Sequence, residues 1–260
     1  MRYFLRFSYD GTTFHGSQRQ PNGITVQETM EKAMTMLFRQ DIDLTFAGRT
    51  DAGVHAREMF AHFDLSVPAD SEAESATLPA NLVFRLNGIL PDSIAIYDVI
   101  PVKDDAHARF SACKRTYEYH LVDHKDPFSC HFATRVRPGL NFEAMNLAAQ
   151  HLLGRQDFAS FCRSNTDVKT TICDLSHAQW TFSSDGHAVF TISADRFLRN
   201  MVRAIVGTLF LVGRGKISVD EFAAVITAQS RSAAGESAPA EGLYLTRIEY
   251  PAEIYVDEDR

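Results

Sequence analysis

The side chains best suited to chemistry lie in residues 48–53, which read Gly-Arg-Thr-Asp-Ala-Gly. Arg49 and Asp51 stand two positions apart, between glycines and directly after a predicted strand. Catalytic groups usually lie on loops that a rigid scaffold positions, and a carboxylate there could attack an electrophilic carbon or stabilise positive charge on it. By spacing alone, a salt-bridged turn is the commoner interpretation, because aspartate and glycine are standard turn residues.

Two residues of the second half, Tyr117 and Arg203, also have side chains whose chemistry needs an explanation. Tyr117 lies in an alternating segment that predicts a strand; its flat ring could stack on a planar group, although an ordinary cross-strand aromatic residue is commoner. Arg203 lies in a dense apolar run, residues 201–212, where a guanidinium is costly unless it is paired. A buried partner such as Asp51 would explain it, and so would a place on the one wet face of a helix.

The elements that must position these residues follow the same order in each half. The first half predicts strand 3–9, helix 26–38, strands 43–47 and 59–65, helix 81–90 and strand 94–99. The second predicts strand 116–122, helix 142–152, strands 175–182 and 187–194, helices 201–212 and 218–226, and strand 243–250. Both helices that begin after Thr25 and Ser218 carry a capping-box pattern. Strand–helix–strand order with hairpins favours an α+β fold with a largely antiparallel sheet.

Composition describes a globular chain of 260 residues, 45% hydrophobic and 23% charged, which excludes disorder and fibrous repeats. The net charge of −7 argues against a uniformly basic nucleic-acid binder. The acids concentrate in residues 66–80 and in the tail, however, and residues 196–219 carry five basic residues and no acid. Arginines outnumber lysines 20 to 6, which suits bidentate contact with phosphate.

The four cysteines include no CxxC pair, and no histidine or cysteine spacing fits a standard zinc site. The N-terminus lacks a signal-peptide core, and the most apolar stretch, residues 204–212, is about half of a membrane span. We therefore expect reduced thiols, no metal, no membrane association and a cytoplasmic location.

Six ordered segments resemble the motifs of the tRNA pseudouridine synthase A family. Residues 48–55, Gly-Arg-Thr-Asp-Ala-Gly-Val-His, resemble its catalytic motif. The other five are residues 10–21 (Asp-Gly-Thr-x-Phe-x-Gly-x-Gln-x-Gln-Pro), 86–94, 107–119, 197–203 and 241–245. The resemblance as a whole runs from Arg2 to about Pro251, and the order of the six segments makes it far more specific than any one motif.

The resemblance implies an enzyme that isomerises uridine to pseudouridine at positions 38, 39 and 40 of the tRNA anticodon stem and loop. It implies no cofactor, and a homodimer with one active site per subunit. The implied fold has two pseudo-symmetric ferredoxin-like halves that share a mainly antiparallel central sheet, with helices packed on one side. Residues 1–104 would form the half with the catalytic aspartate, and residues 105–260 the half with the tyrosine and arginine.

Carried over residue by residue, the resemblance makes Asp51 the catalytic nucleophile. An arginine nearby, Arg49 or Arg203, would keep the pKa of its carboxyl low. Whether Asp51 attacks C1′ or first helps to remove the 2′ hydrogen stays open. The implied substrate-binding residues are Tyr117, Arg49, Arg203 and Leu245, and further RNA contacts are expected from Arg109, Arg115, Arg196, Arg199, Arg214 and Lys216.

The sequence departs from the family pattern at three places. Ser17 stands where the family commonly has a large aromatic residue, so a packing contact there should differ. Cys173 stands where it often has arginine, which puts one phosphate or carboxylate contact in doubt. The loop of residues 66–80 is longer than usual.

Two other functions compete with this interpretation. A non-catalytic RNA-binding module on the same scaffold would be expected to have lost the carboxylate, whereas Asp51 is present. A small-molecule glycosidase needs a second acid, and Asp104-Asp105 stands without a supporting motif.

Overall fold

A computed structural model describes residues 1–65, 78–163 and 169–256, which contain five α-helices and ten strands. The chain divides into two compact units, Met1–Cys113 with Arg247–Arg260 and Lys114–Thr246. Most of the predicted acidic loop, residues 66–80, and the acidic end of the tail lie outside the described residues. No helix of the described part is long and apolar enough to span a membrane.

The first unit arranges its strands in the order β4-β1-β3-β2, and each neighbouring pair is antiparallel. Its elements are β1 (Arg2–Tyr9), α1 (Val26–Phe38), β2 (Thr45–Phe46), β3 (His55–Asp64), α2 (Leu82–Ile89) and β4 (Ile94–Val102). β1 takes the centre because its apolar residues, among them Phe4, Leu5 and Phe7, are wholly buried. β3 begins earlier than predicted, since its pairing with β1 extends to Tyr9 opposite Ala56.

The second unit arranges its strands in the order β10-β5-β9-β8-β7. Its elements are β5 (Lys114–Val122), β6 (Thr134–Arg135), α3 (Phe142–Gln150), β7 (Gly154–Asp157), β8 (Ile172–Phe182), β9 (His187–Ala194), α4 (Met201–Gly213), α5 (Val219–Thr227) and β10 (Leu243–Glu249), whose last three residues belong to the first unit. β5 pairs antiparallel with β9 and parallel with the short β6. The predicted α+β class and its mainly antiparallel strands are thus confirmed.

The two predicted capping boxes turn out differently. At α5 the box is complete, because Ser218 Oγ accepts the Glu221 N–H at 3.1 Å and a Glu221 carboxylate oxygen accepts the Ser218 N–H at 2.7 Å. At α1, Thr25 Oγ1 accepts the Glu28 N–H at 3.2 Å, but the Glu28 carboxylate bonds to Lys32 one turn along. Glu28, which the motif predicted as a capping residue, instead forms a surface ion pair with Lys32.

The core of the second unit surrounds Trp180 of β8. Its indole lies near the rings of Phe142 on α3, Phe190 on β9 and Phe210 on α4, with centroid distances of 5.6, 5.1 and 6.3 Å. Contact of α3 and α4 with one side chain places both helices on the same face of this unit's strands. The prediction that residues 201–212 form a buried helix is confirmed, because nearly all of α4 is buried.

An asparagine on α3 closes an open edge of β8. β7 pairs only with the start of β8, from Ile172 to Leu175. Further along, Asn146 takes the place of a strand: its Nδ2 donates to the Trp180 carbonyl at 3.1 Å and its Oδ1 accepts the Trp180 N–H at 2.7 Å. One side chain thereby satisfies both backbone groups of the central core residue.

We expect Asn146→Ala to lower the free energy of unfolding by about 1–3 kcal/mol, the cost of leaving part-buried backbone groups without partners. Urea unfolding followed by the Trp180 fluorescence measures this. Leu147→Ala, at an exposed position of the same helix, should change stability by less than about 0.5 kcal/mol. Equal effects of the two substitutions would show that the Asn146 bonds add nothing.

Candidate active site

The predicted catalytic segment forms a turn between β2 and β3 in the first unit. Asp51 is half-buried there, and its carbonyl accepts the Val54 N–H at 3.2 Å, which closes the turn. Arg49 is exposed, and its side chain has no hydrogen bond or ion pair with any residue that the structure describes. The salt bridge between Arg49 and Asp51 that the spacing suggested is therefore absent, and the Arg49 guanidinium is available to a ligand.

Thr50, the residue before Asp51, uses all of its hydrogen-bonding groups within the first unit. Its N–H donates to Ser17 Oγ at 2.9 Å, its carbonyl accepts the Ser17 N–H at 3.2 Å, and its hydroxyl lies 2.8 Å from the Tyr9 hydroxyl. Ser17 is wholly buried. The position expected to differ in packing thus contributes a hydroxyl to the turn.

Residues 10–12 of the N-terminal signature hold the other end of the turn. His55, the first residue of β3, is 2% exposed, and its Nδ1 lies 3.1 Å from both the Gly11 N and an Asp10 carboxylate oxygen. Gly11 passes so close to the turn that an added Cβ would lie 2.0 Å from the Val54 carbonyl oxygen. Two motifs separated by 26 residues, 22–47, therefore form one structure.

Arg109 belongs to a third motif of the first unit and is exposed, with its guanidinium 5.6 Å from the Phe110 ring centre. The turn that carries it is fixed by His62, whose Nδ1 accepts the Ala108 N–H at 3.1 Å. Burial lowers the pKa of His62 to about 4, so this imidazole is neutral near pH 7 and remains an acceptor.

Tyr117 lies on β5 of the second unit, opposite Ile192 of β9, and is half-buried. Its ring meets the Phe197 ring edge to face at a centroid distance of 5.0 Å. Aromatic pairs of this geometry fix ring orientation. Phe197 begins the motif of residues 197–203, so this contact joins two of the predicted motifs.

Arg203 lies in the first turn of α4 and is half-buried. Its Nε donates to the Ala238 carbonyl at 2.7 Å, and its own carbonyl accepts the Ala238 N–H at 2.9 Å. A backbone carbonyl thus satisfies part of the guanidinium within the apolar run. Leu245, in the part of β10 that belongs to this unit, is 1% exposed.

A buried tyrosine that sequence reasoning left without a role holds the segment after Ala238. The Tyr119 hydroxyl donates to the Pro239 carbonyl at 2.9 Å and lies 2.7 Å from Thr134 Oγ1, which donates to Glu241 Oε1 at 3.2 Å. Burial raises the pKa of Tyr119, so it stays protonated and keeps its donor. Its place in the Tyr-x-Tyr motif was the available signal.

The basic side chains of the segment 196–219 do not form one patch. Arg196 and Arg199 precede α4, whereas Arg214 and Lys216 follow its other end. At 1.5 Å per residue, the 13-residue helix separates the two pairs by about 20 Å. Arg199, Arg214 and Lys216 are exposed, Arg196 is half-buried, and the half-buried Arg115 donates to the Asp195 carbonyl at 2.8 Å.

Cys173 cannot replace an anion-binding arginine. It is wholly buried on β8, and burial raises the pKa of its thiol to about 12. The neutral thiol offers neither charge nor exposed surface, so the phosphate or carboxylate contact that the substitution put in doubt cannot come from this side chain. No disulfide joins it to another of the four cysteines.

Comparison with known proteins supports the family resemblance. A family model described as tRNA pseudouridine synthase matches residues 148–251. The chain is 50% identical over 257 residues to tRNA pseudouridine synthase A of Bacteroides fragilis, covering 98% of each chain. It is 51% identical over 256 residues to that of Porphyromonas gingivalis, covering 98% of this chain and 99% of the relative, and 41% identical over 256 residues to that of Bacillus subtilis, covering 96% and 99%.

The close approach of Gly11 to the turn predicts that Gly11→Ala lowers the melting temperature by several degrees, because the new methyl group collides with the Val54 carbonyl. Differential scanning calorimetry measures this shift. Gly48→Ala, in the turn that Gly11 approaches, is the control, because a Cβ at residue 48 meets nothing within 4 Å. A Gly11→Ala protein as stable as the Gly48→Ala protein would contradict the proposed constraint.

Proposed function

The chain belongs to the tRNA pseudouridine synthase A family, and from that premise we propose that it converts uridine to pseudouridine at positions 38, 39 and 40 of the anticodon stem and loop, with Asp51 as nucleophile. The observation that carries the proposal is the Asp51 turn, in which the family's carboxylate stands half-buried on backbone fixed by Tyr9, Ser17 and Gly11. A rigid, partly exposed carboxylate suits a reaction that passes through positive charge at a sugar carbon.

Pseudouridine formation breaks the N1–C1′ bond, turns the detached base and joins C1′ to C5. The C5 proton is lost to a base or to water, and N1 takes up a proton in its place. The reaction is an isomerisation, so no atom of a co-substrate enters the product. We propose that no cofactor and no metal take part. Asp51 either bonds to C1′, and that bond breaks when C5 attacks, or helps to remove the 2′ hydrogen before the base detaches, and a proton returns to C2′ when C1′ joins C5. Both routes need the ionised carboxylate.

We assign the substrate contacts as follows. Tyr117 stacks on the target base, since its ring orientation is already fixed by Phe197. Arg203 and the exposed Arg49 bind phosphate or carboxylate groups, and Leu245 packs against the base. The base must leave the helical stack to stack on Tyr117, which costs a few kcal/mol of stacking and pairing.

We also propose that the two halves are pseudo-symmetric ferredoxin-like folds that share a central sheet, with residues 1–104 carrying Asp51 and residues 105–260 carrying Tyr117 and Arg203. Two observations support this. The orders β4-β1-β3-β2 and β10-β5-β9-β8 are the same order when each unit's four principal strands are numbered from its own start. The Asn87 side chain on α2 bonds to both backbone groups of Ile96 on β4: Nδ2 donates to the carbonyl at 2.9 Å, and Oδ1 accepts the N–H at 2.8 Å. Asn146 bonds to Trp180 in the same way in the other unit. We expect a cytoplasmic homodimer.

For the catalytic assignment, we expect Asp51→Asn to lower pseudouridine formation at least about 1000-fold, the scale on which a group acting on the reacting atoms matters. Incubation with an unmodified tRNA transcript and mapping of the modified positions measures this, and a binding assay should give a Kd close to that of the unchanged protein.

The matched control is Asp43→Asn, an exposed carboxylate just before β2, which should keep full activity. An active Asp51→Asn protein would overturn the assignment of the nucleophile. An inactive unchanged protein would overturn the proposed function itself.

We further propose that the basic residues at both ends of α4 contact tRNA phosphates. We expect the double substitution Arg214→Ala and Lys216→Ala to weaken tRNA binding and to reduce the slope of log Kd against log salt by about 1 to 2. Binding then neutralises fewer phosphates and therefore releases fewer counterions. Arg155→Ala, an exposed arginine of β7, is the control and should leave the slope unchanged. A salt slope that is the same in all three proteins would exclude contacts from this end of α4.

A further inference from the structure

We propose that Ser17 is a positioning residue for the reaction: its buried hydroxyl fixes the Arg49–Thr50 peptide, one residue before Asp51, and so sets the angle of the nucleophile. This inference rests on the proposed function of Asp51. It concerns a side chain outside the catalytic motif, and it separates the role of Ser17 in the chemistry from its role in stability.

Ser17 makes hydrogen bonds to both backbone groups of Thr50. It accepts the Thr50 N–H with Oγ at 2.9 Å and donates its own N–H to the Thr50 carbonyl at 3.2 Å. With the Tyr9 hydroxyl 2.8 Å from Thr50 Oγ1, no polar group of Thr50 is left to rotate toward another partner. The direction in which the chain enters Asp51 is therefore fixed.

The other side of Ser17 is attached to the start of α1. Its carbonyl accepts the Gln27 N–H at 2.9 Å, and the neighbouring Gly16 carbonyl accepts the Val26 N–H at 3.3 Å. Gly16 has a φ of +91°, and an added Cβ would lie 2.8 Å from the Thr50 carbonyl oxygen. The turn is thus tied through Ser17 to a helix rather than to a loose loop.

The helix end is itself braced by Glu31, which is 5% exposed on α1. Glu31 carboxylate oxygens accept from the Leu44 N–H at 3.0 Å, from Gln27 Nε2 at 2.9 Å and from Arg19 at 2.5 Å. Leu44 leads into β2, so both chain segments that meet at the turn are anchored to one buried carboxylate.

Removal of the Ser17 hydroxyl leaves the Thr50 N–H buried without its acceptor, and the peptide can regain a partner only by turning. A turn of this peptide moves the Asp51 carboxylate. Displacement of a catalytic group by about 1 Å costs on the order of 100-fold in rate, whereas a group that serves only stability leaves the rate of the folded enzyme unchanged.

A matched serine separates these two outcomes. Ser160 of the second unit is also wholly buried, and its Oγ accepts the Ser230 N–H at 3.0 Å. Ser17→Ala and Ser160→Ala therefore remove the same kind of bond, a backbone N–H to a buried hydroxyl. One bond lies next to the nucleophile, and the other belongs to no proposed site.

The experiment measures single-turnover rate constants on a tRNA transcript, the KM for tRNA and the melting temperature of each protein, at a temperature where all are folded. We expect both alanine variants to melt at a lower temperature. Only Ser17→Ala should lose about 10- to 100-fold in rate constant with little change in KM, and Ser17→Thr, which keeps a hydroxyl, should recover part of the rate.

A Ser17→Ala protein that melts early but reacts at the unchanged rate would overturn the proposal. If Ser17→Ala does not fold, Tyr9→Phe removes the other side-chain anchor of Thr50 and is expected to lower the rate in the same way; an unchanged rate there would equally overturn it. An unchanged protein without activity would instead refute the proposed function, so the two failures are distinguishable.

Discussion

The hydrogen bonds of Thr50 are the interaction on which the proposed catalysis depends. A nucleophilic carboxylate needs partial exposure to reach its substrate, yet it must point in one direction, and a turn of small residues is by itself too free for that. Residues 48–53 meet both needs because Thr50 is buried and fully bonded while Asp51 remains half-buried. Rigidity comes from Tyr9 at the end of β1 and from residues 10–17, which belong to another motif.

The same principle operates in the second unit. Phe197 orients Tyr117, and Ala238 bonds to Arg203 twice: its carbonyl accepts the Arg203 Nε–H, and its N–H donates to the Arg203 carbonyl. The buried Tyr119 then holds Pro239, next to that contact. Tyr117 and Arg203, two of the side chains assigned to substrate binding, are therefore each supported by a residue from a distant part of the chain, which is what preorganised sites require.

Predictions from the sequence succeeded where a local rule decides the structure. β9 has its predicted bounds, because its alternation and its flanking Asp-Gly turn both act locally. They failed where a competing partner exists, as at Glu28, whose carboxylate bonds to Lys32 instead of the cap. β6 and β7 escaped prediction because strands of two and four residues carry too little pattern to stand out. The acidic loop of residues 66–80 lies mostly outside the described part.

The sequence by itself determined the family and the α+β class, and it pointed to Asp51 as the proposed nucleophile, because ordered motifs and periodicity are properties of the linear chain. Only the tertiary structure decided that Arg49 is unpaired among the described residues, that the basic run divides between two ends of a helix, and that Ser17 bonds to Thr50. These facts depend on which groups meet after folding. The hydrogen bond between residues 17 and 50 cannot be predicted from the sequence, because no local pattern links two residues so far apart along the chain.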